Sequence, residues 1–123
     1  MKYLCLAYYD EPKSETLFST ELDAIVSRCP PYDAELRASG HLVAQGSLQS
    51  PRSSASVRPR HGRVSVTDGP FAETKEQIGG FFIIEARDLN EAIRVASKHP
   101  AAHLGEEIGW GIEVRPLDAF EPA

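Results

Sequence analysis

Asp68 stands where a run of alternating residues gives way to Gly69-Pro70. A carboxylate at such a strand end can sit at a cleft mouth as a general base or substrate anchor. The same residue before Gly-Pro can instead accept backbone N–H bonds and fix the turn, so two readings stay open. Glu73, Lys75 and Glu76 follow closely. Lys75 could hold an anion while a neighbouring carboxylate moves a proton, and Phe71, Ile78 and Phe81 would tether this loop to an apolar layer around a pocket. A solvated loop carries the same residue types. His99 is a second catalytic candidate, as a proton carrier in a cleft. His99 and His103 have the i, i+4 spacing of a helical metal pair, but Pro100 between them argues against a regular helix, so no metal site is assigned. Tyr8 can place a ring against a ligand with its hydroxyl at the wet edge, or serve as a core or interface aromatic. Trp110, between Gly109 and Gly111, can stack on a ligand or anchor packing. The chain has no serine nucleophile motif, phosphate-cradling glycine loop or dinucleotide fingerprint, and no cofactor is assigned.

Lys2 to Tyr9 is aromatic and aliphatic on both alternating faces and stops at Asp10-Glu11-Pro12, as a first strand should. Leu22, Ile25, Cys29, Tyr32 and Leu36 recur at helical spacing behind a capping-box-like Thr20 and Asp23. That predicts a first helix, kinked or broken at Pro30-Pro31 and closed by Gly40. His41 to Leu48 reads as a short strand. Ala55 to Arg58 and Arg63 to Thr67 read as arms of a hairpin, with Pro59 placing its strand near an edge. The residues from Asp68 to Gly80 read as a loop, and Phe81 to Ala86 as the strongest strand, again apolar on both faces. Asp88 and Glu91 cap a second helix of about three turns with Ala92, Ile93 and Ala96 as its buried stripe. Ala101 to Gly109 reads as a loop, and Ile112 and Val114 mark a closing strand that ends at Pro116.

Two right-handed crossovers put both helices on one side of the sheet, giving an α+β, ferredoxin-like βαββαβ layer pair with an added β-hairpin. The length of 123 residues fits a single domain, 1–123. Two helices cover one face only, and the apolar residues of the other face require a cover. A second copy packed sheet against sheet is the simplest one. RNA stacking on sheet aromatics would need a basic surface, whereas this chain has 13 basic and 18 acidic residues, for a net charge of −5. Nucleic acid is therefore not an expected partner. No apolar run approaches the roughly 20 residues of a membrane span, and the opening residues lack a signal peptide's apolar core, so a cytoplasmic location is expected. Cys5 and Cys29 lack metal or CxxC spacing and read as small buried hydrophobes.

The block Val66-Thr67-Asp68-Gly69-Pro70-Phe71-Ala72-Glu73-Thr74-Lys75-Glu76-Gln77-Ile78-Gly79-Gly80-Phe81 resembles the signature of the DGPF group within the YCII-related domain family. The opening Lys2-Tyr3-Leu4, Glu35-Leu36 to Gly40, Leu48-Gln49, the hairpin and Glu113-Val114-Arg115-Pro116 fall in the expected order around it. The resemblance implies a dimeric α/β barrel. It implies no established reaction: some DGPF proteins are encoded beside extracytoplasmic-function sigma factors, and other YCII-related proteins resemble small lyases or isomerases that use a His and Asp pair, with the His on the first helix. Here that helix carries Tyr32 and Asp33 and no histidine, a departure from that pair. The expectation is a cofactor-free isomerase or lyase acting on a small polar or aromatic metabolite near the Asp68 to Glu76 loop. The alternative is a non-catalytic ligand-sensing or regulatory module associated with a sigma factor.

Overall fold

A computed structural model describes residues 1–123. The elements run β1 (Lys2–Asp10), α1 (Glu11–Glu15), α2 (Ser19–Val26), α3 (Pro30–Ala38), β2 (Leu42–Ser47), β3 (Ala55–Arg60), β4 (Arg63–Asp68), β5 (Glu76–Glu85), α4 (Leu89–Ala96) and β6 (Gly111–Pro116). β2, β5, β1 and β6 form one antiparallel sheet in that order, and β3 with β4 forms a separate two-stranded hairpin. With β1 and β5 central and both longer crossovers helical, this is the ferredoxin-like α+β arrangement that the alternation of elements predicts.

Helix boundaries depart from the sequence reading for local reasons. Asp10 does not simply stop β1. Its carboxylate accepts the Lys13 N–H at 3.0 Å and caps α1, whose first turn tolerates Pro12 because an N–H there has no helical partner. The long first helix is split into α2 and α3. Pro30 and Pro31 occupy the first positions of α3, where their fixed φ suits a helix start. α2 begins beyond Phe18 with no side-chain cap, so the Thr20 and Asp23 pair does not act as its capping box. β5 starts at Glu76, earlier than Phe81, because Gly79 and Gly80 do not end a loop: they sit at a bulge in the pairing of β1 with β5 between Ala7 and Tyr8. Asp88 caps α4 as expected, accepting the Glu91 N–H at 2.8 Å. The helix is shorter than three turns, and its buried stripe is Ala92, Val95 and Ala96, while Ile93 is exposed.

The pleat sorts the strands into two faces. Tyr3, Cys5, Phe82, Ile84 and Ala86 form one core with Leu36 of α3 and Ala92, Val95 and Ala96 of α4, with Leu42, Ile112 and Val114 at its margin. Burial alone pushes the Cys5 thiol up to about 12, which leaves it a packed hydrophobe rather than a nucleophile. A smaller cluster joins Ile25 of α2 to Leu104 and Ile108 in the segment after α4, with Leu22, Cys29, Tyr32 and Trp110 packed against it. The opposite face presents Leu4, Leu6, Tyr8, Ile78, Phe81 and Ile83, all half-buried and covered by no helix.

Candidate functional site

A cleft of about 540 Å³ opens beside the helix-covered core, where the ends of β1, β2 and β5 meet α3 and the segment after α4. Its polar lining includes Tyr9, Ser14, Asp33, Arg37, Gln45 and His99, and its apolar walls include Leu22 and Trp110. Backbone without side chains shapes the floor. A Cβ on Gly46 would lie 2.8 Å from the Phe81 ring, and one on Gly79 would lie 3.0 Å from the Tyr9 ring, so these glycines let aromatic rings lie against the strands. Gly105 adopts a left-handed φ of +72° and a Cβ there would run into the Trp110 indole, so this glycine seats the Trp110 wall.

Asp33 and Arg37 stand four residues apart on α3, on the stripe that also carries Cys29 and borders the buried Leu36. Neither makes an ion pair within the chain. Burial pushes the Cys29 thiol up, with Asp33 adding to the effect. Burial likewise raises the Tyr9 phenol, helped by the charges of Glu11 and Glu15. His99 is held on two sides. Its ring stacks on Phe82 with centroids 4.7 Å apart and planes within 1°. Its Nδ1 accepts the Ala101 backbone N–H at 3.0 Å, capping the 3₁₀ turn Pro100–Ala102. Burial lowers its pKa below the ordinary histidine value, and the Asp33 charge opposes that shift.

The residues singled out in the sequence are distributed over three places. His99 and Tyr8 line this cleft. Tyr8, Phe71 and Glu76 line a second cavity of about 560 Å³, between the uncovered sheet face and the connector from Leu48 to Ser54. Glu73 and Lys75 line a shallow polar groove with Glu11, Glu15 and Arg52. Asp68 lines none of the three. It ends β4 opposite Ala55, is exposed, and its carboxylate accepts no hydrogen bond in the chain. The turn after it is fixed by other groups: Gly69 N–H donates to Ser54 O at 2.7 Å, and Ser56 Oγ donates to Gly69 O at 2.8 Å. The loop is braced further by Arg58, which lies 3.6 Å from the Phe71 ring centroid and donates to Phe71 O at 2.6 Å.

His99 and His103 do not converge. His103 stacks on Tyr32 and bonds to Ser97 O, and no group of three or more His, Cys, Asp or Glu side chains is placed to hold a metal ion. Of the charged cleft residues, Arg37 was not singled out in the sequence, and Asp33 was noted on the first helix without a site role. The available signal was the i, i+4 spacing of Asp33 and Arg37 after Cys29, which puts the three on one side of the helix next to the buried Leu36.

The profile of the YCII-related domain matches residues 1–115. The chain is 31% identical over 122 residues to an uncharacterized protein of Rhizobium meliloti (strain 1021), an alignment covering 99% of this chain and 96% of that relative. No helix is long and apolar enough to cross a membrane. On fold, on the Asp68-Gly69-Pro70-Phe71 block and on these matches, the chain belongs to the YCII-related domain family.

Proposed function

We propose that this protein is a small-molecule isomerase or lyase that binds its ligand in the cleft between sheet and helices and works as a homodimer. The observation that carries the reading is the placement of Asp33, Arg37 and His99, from α3 and from the turn after α4, on one cleft of about 540 Å³. A carboxylate, a cation and an imidazole around a partly apolar cavity supply a proton acceptor, a charge anchor and a hydrogen-bonding group on one wall. A His and Asp pair is thus regained from elements other than a first-helix histidine. The Phe71 to Glu76 loop takes a different part in this reading. It borders the uncovered sheet face, so a second copy seated there would close the cavity lined by Tyr8, Phe71 and Glu76.

Ligand-observed NMR against metabolite pools, with wild type, Asp33→Asn and Asp68→Asn, tests the site. Binders lost in Asp33→Asn and kept in Asp68→Asn support it. The reverse pattern would return the site to the Asp68 loop, and no binder at all would count against a ligand cleft. Sedimentation tests the assembly: a species at 13.5 kDa at high concentration would remove the homodimer. Stoichiometric capture of a sigma factor without turnover of any ligand would replace the enzyme reading with a regulatory one.

A further inference from the structure

We infer that His99 serves this cleft as a fixed, uncharged N–H donor to an oxygen anion, and that the ligand is a small organic acid with an apolar or aromatic body. The inference rests on the cleft described above as the ligand site. The bond to Ala101 decides the tautomer. A backbone N–H can only donate, so the Nδ1 it meets at 3.0 Å must present a lone pair, and the ring hydrogen of the neutral imidazole lies on Nε2. The flat stack on Phe82 holds the plane of the ring, and turning the ring over within that plane would give up the Ala101 bond.

Nε2 has no hydrogen-bond partner in the chain, yet no half-buried or buried side chain has a polar atom that is both fully enclosed and unpaired. Nε2 is therefore not enclosed, and the proposed anion would reach its Nε2–H edge from the cleft that His99 lines. A base needs a free lone pair, and neither ring nitrogen offers one in this arrangement. Proton abstraction on this wall therefore falls to the Asp33 carboxylate, while the imidazole N–H suits an oxygen that carries or develops negative charge. Arg37 lines the same cleft without an internal ion pair and supplies the compensating cation. Leu22, Trp110 and the Tyr9 ring supply apolar walls for the body of the acid. The charged and titratable groups facing His99 across the cleft are Asp33 and Arg37 of α3, Cys29 at its start and Tyr9 of β1.

Two measurements on the full chain test this. Long-range ¹H–¹⁵N NMR of the imidazoles reads the His99 tautomer directly, and titration with benzoate and its uncharged counterpart benzamide reads the ligand class. The expected result is an Nε2–H tautomer near neutral pH and benzoate binding in the range of about 10 mM or tighter, as befits a fragment. Benzoate should move the His99 Nε2 resonance, and benzamide should not. His99→Asn separates the donor from the cap, because the Asn amide oxygen can still accept the Ala101 N–H while nothing replaces Nε2–H. It should melt close to wild type and bind benzoate roughly tenfold or more weakly. His99→Gln, whose amide N–H extends to the Nε2 position, should recover part of the loss. An Nδ1–H tautomer, or full benzoate affinity in His99→Asn, overturns the proposal. Equal binding of benzamide overturns it while leaving the cleft as a ligand site. Silence of every cleft resonance with both probes removes both.

Discussion

The two faces of the sheet are built from the same strands and have different fates. On one, Tyr3, Cys5, Phe82 and Ile84 are each 2% exposed or less, under α3 and α4. On the other, their immediate neighbours Leu4, Leu6, Phe81 and Ile83 are left half-buried. Strand composition does not account for the difference, since both rows are equally apolar. The helices do, because the chain supplies only enough of them for one side. The uncovered side has an apolar centre with charged pairs toward its margins, Lys2 with Glu85 and Arg115 with Glu113, which suits the homodimer proposed above. The covered side folds the monomer, and the open side remains available for assembly.

The largest effect should come from the covered side. Phe82 is fully buried, packs in the main core and forms the platform under His99. Phe82→Ala leaves a cavity and should lower unfolding free energy by about 3–5 kcal/mol, read from urea melts. A loss near zero would mean the core does not depend on this face. Leu6→Glu, on the open face, should act on assembly more than on the protomer. In the proposed homodimer, seating a carboxylate in the apolar contact should raise the dissociation constant about a hundredfold or more, with the far-ultraviolet spectrum retained. Sedimentation velocity checks it, and an unchanged mass would break the distinction between the faces.

Much of this was legible from local signals. Alternation marks β1, β6 and the centre of β5, the run Leu42-Val43-Ala44 marks β2, the positions flanking His61 and Gly62 mark the hairpin, and Asp88 announces α4. What was hidden depends on context. Asp10-Glu11-Pro12 reads as a breaker, but the same residues are a good helix start once the Asp10 carboxylate turns to the Lys13 N–H. Gly79-Gly80 reads as a loop end, but a glycine pair also suits a bulge against Ala7 and Tyr8. The Asp68 loop is conspicuous in sequence because charge, Gly and Pro are concentrated there. The Asp33, Arg37 and His99 grouping is inconspicuous because α3 and the turn after α4 meet only in three dimensions, across the sheet.

Acid should weaken the covered side through His99. Its pKa is lowered in the fold, mainly by burial, so the folded protein binds this proton less readily than the unfolded chain. The sign follows: stability from this group is fully present above the unfolded histidine value of about 6.5 and is lost as pH falls through the lower folded value. Melting temperature should therefore decline between pH 7 and 5 in wild type and decline less steeply in His99→Asn. Equal slopes would show that another group governs the acid limb.

The smallest effect should come from the margin of the open face. Glu85 is lowered below the ordinary carboxylate value, first by the hydrogen bond from Lys2 and then by that from the N-terminal amine, both at 2.9 Å, with weak desolvation opposing. A depressed carboxylate contributes stability above its unfolded pKa and loses it as pH falls through the folded one. The group is well exposed, so solvent and salt screen the pair. Glu85→Gln should give the smallest melting shift of these variants, in the destabilising direction, and the shift should vanish near 1 M salt, where the screening length is about 3 Å. A salt-resistant loss would instead mean that Glu85 is covered in the assembled protein, which would carry the dimer contact outward from Leu6 to the end of β5.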